Sequence, residues 1–154
     1  MRIVVGIDGS RTREQLRTLD RLLSLRGHEL VLVYVHDTGV RGELEFLRER
    51  VLRRGLSEPD LARVGQAEAA RAEVITKEAE AAARELQARF RTVTEVGEPG
   101  RVLVSIATDQ QADLVVVAAR SGDLSVPAGP KSLGHTARFV VDHSPCPVLL
   151  LRRR

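Results

Sequence analysis

The sequence predicts an α/β protein with a five-stranded, mostly parallel sheet and helices on both faces. Five short apolar segments are spaced along the chain, and segments with apolar residues three and four positions apart separate them. Most of the apolar segments are continuous rather than alternating, which is typical of parallel strands covered on both sides. This alternation of strands and helices indicates an open sheet between two layers of helices.

The first strand is predicted at residues 3–7 and is followed by Asp8-Gly9-Ser10, which has the residue types of a turn and a helix cap. A second buried strand is predicted at residues 30–35, ending at His36-Asp37. Strand, helix and strand in about 35 residues form one parallel crossover, which is right-handed by the usual rule. The helix between them is predicted to end at Gly27 and to bury one side, formed by Leu16, Leu19, Leu22 and Leu23.

The middle of the chain, residues 42–90, is helical in composition because it is rich in Ala, Glu, Arg and Leu. Gly55 and Pro59 are the predicted interruptions. They divide the segment into a short helix at residues 43–54 and a long helix at residues 60–89. The residues predicted to form the buried stripe of the long helix are Val64, Ala67, Val74, Ala81 and Leu86.

The last third of the chain supplies three more strands. Residues 92–96 alternate β-branched and polar residues, which favours a strand at the edge of the sheet. Continuous apolar runs predict a fourth strand at residues 114–118 and a fifth at residues 148–151. The turn at residues 97–100 leads into a helix whose apolar side is formed by Val102, Leu103, Ile106 and Ala107.

The loop after the fourth strand is rich in Gly, Pro and Ser, and it closes at Gly134, where the spacing of a helix begins. This pattern predicts an anion site, because the N–H groups of a first helical turn and the helix dipole attract a phosphate. Ligands of open parallel sheets bind beyond the carboxyl ends of the strands, where the strand order reverses. If the first and fourth strands are neighbours, residues 8–10 and 118–134 face each other there, with Val35 at one side. A plain strand-to-helix connection is the alternative interpretation.

Length and composition predict a single cytoplasmic domain covering residues 1–154. The chain begins with a strand, without the layout of a signal peptide, and no apolar run reaches the roughly 20 residues that span a membrane. The single cysteine, Cys146, excludes an intrachain disulfide and a cysteine-based metal site, and its apolar surroundings predict a packed, slowly reacting thiol. The net charge of +3 is matched by the arginines at 152–154, and aromatic residues make up only 3%, so no nucleic-acid partner is predicted.

Five segments together resemble the universal stress protein family. The most specific is the lead into the last strand, where Pro-Cys-Pro precedes an apolar run behind a helix that starts at glycine. The resemblance extends along the whole chain and implies the adenine nucleotide alpha hydrolase-like fold, with strand order 3-2-1-4-5, and a stress-response role. The segments are VGIDGS at 5–10, YVHD at 34–37, GEP at 97–99, ADLVVV at 112–117 and HSPCPVLL at 143–150.

The nucleotide motif of the family is altered in this chain. Nucleotide-binding members carry Gly-x2-Gly-x9-Gly-Ser/Thr after the fourth strand, and these residues hold the ribose and phosphates. Here the first glycine position falls on Ala118, the second on Ser121 with Gly122 beside it, the third on Gly134 and the hydroxyl position on His135. Twelve residues, instead of nine, separate Ser121 from Gly134. The added side chains and the longer loop weaken the expectation that ATP binds.

Other residues favour a nucleotide. The resemblance implies that Asp8 and Val35, which are intact, meet the adenine. Hydroxyl and cationic side chains around Gly134 suit a phosphate. The candidate binding residues are Asp8, Gly9, Ser10, Val35, Ala118, Arg120, Ser121, Gly122, Lys131, Gly134, His135 and Thr136.

Two functions of different class therefore stay open. One is binding of ATP or another adenine nucleotide, with Mg²⁺ accompanying the nucleotide and hydrolysis slow at most. The other is a nucleotide-free dimer that acts through protein contacts. No catalytic residue and no protein-bound metal is predicted, since the motifs of hydrolases and metal sites are absent from the sequence.

The strand predicted at the C-terminus indicates a homodimer. In a 3-2-1-4-5 sheet the strand at residues 147–151 is an edge, and its apolar run has no charge or internal proline to prevent pairing with another strand. A two-fold partner that presents the same strand would cover both edges, as the family resemblance also implies. The alternative is that residues 39–59 fold over the edge and keep the protein monomeric.

Overall fold

The computed structural model describes residues 1–9, 11–37, 58–119 and 133–152. Their strands are β1 (Arg2–Ile7), β2 (Glu29–Asp37), β3 (Arg89–Gly97), β4 (Leu114–Ala118) and β5 (Val148–Leu151). All five belong to one parallel sheet in the order β3-β2-β1-β4-β5. The predicted fold class and the strand order implied by the family resemblance are confirmed.

The central strand, β1, pairs on both of its sides. Val5 lies opposite Leu32 of β2 and Val116 of β4, and all three side chains are completely buried. A strand with neighbours on both sides and helices above and below has no solvent-facing side. The continuous apolar run of β1 follows from this position.

In the part of the chain that the structure describes, two helices cover each face of the sheet, and each pair packs over its own core. The helices are α1 (Thr12–Leu23), α2 (Glu58–Glu85), α3 (Pro99–Asp109) and α4 (His135–His143). One core lies under α1 and α2 and contains Ile3 and Val5 of β1 with Leu19 of α1. The other core lies under α3 and α4 and contains Val4 of β1 with Leu103 of α3. Successive residues of β1 therefore point into different cores.

Helix α1 ends at Leu23, so the prediction that Gly27 ends it is wrong. Asp20 stabilises the turn that ends the helix. Its carbonyl oxygen accepts a hydrogen bond from the Ser24 N–H at 2.7 Å, and its carboxylate accepts one from the Leu25 N–H at 2.9 Å. Ser24 adopts a positive φ of 50°, which stops the helix. Leu22 was also predicted to be buried and is 59% exposed, because α1 buries a narrower side than expected.

Helix α2 ends earlier than the predicted residue 89. Gln87 has a positive φ of 55°, and the Ala88 N–H donates to the Ala83 carbonyl oxygen at 3.1 Å, so the helix closes before β3 begins at Arg89. Pro59 lies within the first turn of α2 and does not interrupt the helix. Proline is tolerated there because the N–H groups of a first turn have no acceptor inside the helix.

The buried stripe predicted for α2 is wrong at two positions. Ala67 is exposed and Val74 is 65% exposed, while Ala81 and Leu86 are half-buried and the side chain of Val64 lies outside the described residues. Alanines occupy several sides of this helix, so their spacing does not identify the buried one. The residues of α2 that pack on the sheet are Ile75, Ala79, Ala82 and Ala83.

The edge position predicted for the third strand is confirmed, although β3 is longer than residues 92–96. Behind it, α3 packs closely on α4. A Cβ on Gly100 would lie 2.9 Å from the Cβ of Phe139, so only glycine fits without a shift. The helix predicted at residues 43–54 lies outside the described residues. In the described parts of the chain, no helix is both long and apolar enough to cross a membrane.

Candidate functional site

The strand order reverses between β1 and β4. From β1 the chain passes to α1 on one face of the sheet, whereas α4, which follows β4, lies on the other face. The carboxyl ends of these two neighbouring strands therefore border a crevice between diverging chain segments, where ligands of open α/β sheets bind. This is the crevice that the sequence predicted.

Asp8 and Gly9 form the β1 side of the crevice. Asp8 is exposed directly after the last residue of β1, and Gly9 has a positive φ of 77°. A Cβ on Gly9 would lie 2.6 Å from the side chain of Ile75, so α2 approaches the backbone here more closely than another residue would allow. Asp8 and Gly9 line a pocket of about 460 Å³ together with Ala70, Arg71, Val74 and Ile75.

Val35 lies near the carboxyl end of β2, two residues before the strand ends at Asp37. It is half-buried, packs against the core under α3 and α4, and pairs with Glu95 of β3. Val35 does not line the pocket beside Asp8. The structure thus places both residues at the carboxyl edge of the sheet, and the pocket at Asp8 opens toward α2 instead of toward Val35.

Gly134 is the N-cap of α4, as predicted. Its backbone angles, φ 87° and ψ 157°, are essentially restricted to glycine. His135 follows as the first helical residue with 84% of its side chain exposed, and Thr136 is half-buried. The first turn of α4 therefore presents its N–H groups and the positive end of its dipole near the carboxyl edge of β4, where Ala118 is half-buried.

Glu98 is a charged residue that the sequence interpretation did not include in the site. It is the N-cap of α3, before Pro99, and its side chain is only 19% exposed. One carboxylate oxygen, Oε1, lies 3.7 Å from Nε2 of His135 and accepts no hydrogen bond from the residues that the structure describes. The other, Oε2, lies 3.2 Å from Nε of Arg101. The starts of α3 and α4 therefore meet at a carboxylate.

One sequence signal could have directed attention to Glu98. Proline at the first position of a helix marks the preceding residue as the N-cap, so the helix start at Glu98 could be predicted from the sequence. The contact between Glu98 and His135 could not be predicted from the sequence, because the two residues are far apart in the chain.

A larger cavity, of about 620 Å³, lies on the outer side of α1 and does not belong to the crevice. It is lined mainly by charged side chains of α1 and by Leu86. Several of these side chains form exposed ion pairs, including Arg13 with Glu85 at 2.5 Å. The cavity contains none of the carboxyl-end residues of β1, β2 or β4, so we place the candidate site at the smaller pocket and the adjoining crevice.

The remaining predicted site residues, Ser10, Arg120, Ser121, Gly122 and Lys131, lie outside the described residues. Among the residues that the structure does describe, no group of three or more His, Cys, Asp or Glu side chains could hold a metal ion.

Comparison with known proteins identifies a family. The universal stress protein family model matches residues 1–152 of the chain. No curated protein sequence matches it. Among solved structures, universal stress protein UspA from Lactobacillus plantarum is 21% identical, with a TM-score of 0.68, and the match covers 99% of this chain and 97% of that one.

Two further solved structures were determined as complexes with nucleotides. A universal stress protein family protein from Arabidopsis thaliana with AMP bound is 17% identical, with a TM-score of 0.67, over 100% of this chain and 92% of that one. The universal stress protein from Archaeoglobus fulgidus in complex with dAMP is 21% identical, with a TM-score of 0.62, over 97% of this chain and 96% of that one. At these identities the likeness shows the fold.

Proposed function

Because the chain belongs to the universal stress protein family, we propose that it binds an adenine nucleotide in the crevice between β1 and β4 as part of a stress response. The observation that carries this proposal is the reversal of strand order between β1 and β4. Asp8 lies beside that reversal, directly after the end of β1. Gly134, where α4 begins, comes after the end of β4 in the chain. The AMP and dAMP complexes of two proteins with this fold support the choice of ligand.

The proposed nucleotide lies with its adenine toward Asp8 and Val35 and its phosphate at the first turn of α4. Asp8 is exposed and carries hydrogen-bond acceptors for a base or a ribose. The first turn of α4 offers backbone N–H donors, and Gly134 has no side chain to keep a phosphate away. The predicted residues in the loop before Gly134 belong to the same proposal.

A nucleotide-free protein is the second candidate function. The half-buried Ala118 favours it, since a methyl group stands where the family motif has its first glycine. In this case the protein acts through contacts with other proteins.

Mass spectrometry of small molecules released by denaturing the purified protein separates the two candidates. We expect an adenine nucleotide in the released fraction, or binding of added AMP in equilibrium dialysis at micromolar to millimolar concentration. Absence of nucleotide from the released fraction together with no AMP binding in dialysis would contradict the proposal and favour the nucleotide-free function.

The position of the phosphate can be tested at His135, whose side chain is exposed. We expect His135→Glu to weaken AMP binding about tenfold, because it adds negative charge at the first turn of α4, and to leave adenosine binding unchanged. The matched control is His28→Glu, directly before β2 at the opposite edge of the sheet, which should change neither affinity. An equal loss of AMP and adenosine binding in His135→Glu would mean that the phosphate lies elsewhere.

We also propose a single domain and a homodimer that pairs through β5. The edge position of β5, Val148–Leu151, supports the dimer, because an apolar edge strand is a template for a second copy. The cytoplasmic location stays a prediction.

A further inference from the structure

The amino edge of the sheet, where the strands begin, carries four arginines in its β1–β3 half. Arg2 of β1, Glu29 of β2 and Arg89 of β3 are direct neighbours across the sheet. Because adjacent strands lie about 4.8 Å apart, the Cα atoms of Arg2 and Arg89 are roughly 10 Å apart. Arg91 lies two residues along β3, on the same side of the sheet as Arg89, and Arg26 lies in the turn before β2. We call these four arginines the arginine patch.

One carboxylate lies within the arginine patch. Glu29 accepts a hydrogen bond from Nε of Arg2 at 3.0 Å, and its other carboxylate oxygen lies 3.6 Å from Nε of Arg91. The hydrogen bond from Arg2, followed by the charges of Arg2, Arg91 and Arg89, holds the pKa of Glu29 below its ordinary value, although desolvation opposes them. Asp113 also contacts the patch, where it accepts a hydrogen bond from the backbone N–H of Arg2. Among the described residues, four arginines against these two contacting carboxylates leave the patch positively charged.

Other contacts of the arginines are made with neutral oxygen atoms. Nη1 of Arg2 donates to the carbonyl oxygen of Gln110 at 2.6 Å. Nη2 of Arg89 donates to the carbonyl oxygen of Gly27 at 3.3 Å. Neutral acceptors orient a guanidinium group without cancelling its charge, and in the described part of the chain these contacts use a minority of its five N–H donors. Every arginine of the patch is half-buried or exposed, so a partner can reach it.

Every turn that leads from a helix into a strand at this edge is described. These turns occupy residues 24–28, 86–88, 110–113 and 144–147. The ranges 38–57 and 120–132 follow the carboxyl ends of β2 and β4. The arginine patch is therefore formed by described residues, and it lies at the edge of the sheet opposite the candidate nucleotide site.

We propose that the arginine patch binds an acidic segment of another protein. Carboxylates suit guanidinium groups, because one carboxylate can accept two parallel N–H bonds from the same arginine. An extended segment rises about 3.3 Å per residue, so four residues bridge the roughly 10 Å between Arg2 and Arg89. RNA fits less well, since the aromatic residue at the start of β3, Phe90, packs against the core under α1 and α2 and is not available to stack on bases.

Fluorescence anisotropy with a labelled peptide of about eight alternating Glu and Gly residues tests this proposal. We expect the wild-type protein to bind the peptide, more weakly as salt is added, and not to bind the same peptide with Gln in place of Glu. Arg89→Gln should weaken binding about tenfold, because a charge-assisted hydrogen bond to a carboxylate is lost. Glu29→Gln should strengthen binding, because it removes a like charge from the patch. Circular dichroism at the temperature of the measurement establishes that both variants are folded.

Arg17→Gln is the matched control. It removes the same charge from the outer side of α1, where the Arg17 side chain is 62% exposed, and should leave the affinity for the peptide unchanged. Failure of the wild type to bind the peptide, or an equal loss in Arg17→Gln and Arg89→Gln, would overturn the proposal. Weaker binding by folded Glu29→Gln would also overturn it.

A single-stranded RNA of similar length is the competing ligand. If RNA binds more tightly than the peptide and Arg89→Gln weakens that binding, the patch recognises nucleic acid and the proposal is overturned. None of these measurements involves AMP, so each outcome leaves the proposed nucleotide site to its own tests.

Discussion

Gly134 holds a backbone conformation that a side chain would strain. With φ 87° and ψ 157°, it lies in a region that is essentially restricted to glycine. We expect Gly134→Ala to lower the free energy of unfolding by about 1–3 kcal/mol, measured by urea denaturation. Thr136→Ala, two residues later at a helical position, should change it by less than about 0.5 kcal/mol. Equal stability of the wild type and Gly134→Ala would mean that the turn adopts another conformation. His135 is therefore a cleaner position than Gly134 for testing ligand binding.

We expect Glu29 to make a pH-dependent contribution to stability at the amino edge of the sheet. A hydrogen bond from Arg2 at 3.0 Å, followed by the charges of Arg2, Arg91 and Arg89, holds the pKa of Glu29 below its ordinary value, although desolvation opposes them. A carboxylate whose pKa is lowered by folding stabilises the protein above its unfolded pKa, and this contribution is lost as the pH falls through the folded pKa.

We therefore expect Glu29→Gln to lower the thermal midpoint at pH near 7, and the difference from wild type to shrink below roughly pH 4. Glu78→Gln, on the exposed side of α2, is the control and should have little effect at any pH. A destabilisation by Glu29→Gln that is the same at both pH values would show that the carboxylate charge is not its cause.

At the scale of the element, α2 presents two adjacent apolar residues with opposite roles. Ile75 is buried against the sheet and against Gly9, whereas its neighbour Val74 is 65% exposed. We expect Ile75→Ala to lower the free energy of unfolding by about 2–5 kcal/mol, because it leaves a cavity, and Val74→Ala to change it by less than about 0.5 kcal/mol. Chemical denaturation of the two variants measures both values. The reverse order would mean that α2 packs through the stripe predicted from the sequence.

The strands were more predictable than this helix. The bounds of β4 and β5 were predicted correctly because each is a continuous apolar run with a polar residue or proline at its start. The buried side of α2 was not, since alanine is compatible with both a buried and an exposed position and gives weak periodicity. In the candidate site, Asp8 and Gly134 were predicted from turn and cap chemistry. Glu98 could not be placed there, because its position depends on how α3 packs against α4.

At the scale of the whole molecule, the sheet has an apolar edge at β5. We expect sedimentation equilibrium to give the mass of a homodimer at micromolar concentration. Pairing two copies of β5 would provide hydrogen-bond partners for the backbone N–H and C=O groups at both edges. Leu149→Lys should shift the dimer toward monomer. Val141→Lys, at an exposed position of α4, is the matched control and should leave the dimer intact.

A monomer mass for the wild-type protein would contradict the proposed dimer. A dimer undisturbed by Leu149→Lys would show that another surface forms the contact. Because Leu149 also packs against the core under α1 and α2, circular dichroism must confirm that the variant is folded.

The most direct test of the nucleotide site is to follow backbone amide signals by two-dimensional NMR while AMP is added. We predict that the amides of Asp8, Gly9 and residues 134–136 shift in proportion to one another, since they surround the reversal of strand order at the carboxyl edge of the sheet. The amides of Glu29 and Asp113, at the amino edge, should stay in place. Shifts confined to the amino edge or to the cavity on α1, or no shifts at millimolar AMP, would contradict the proposed site.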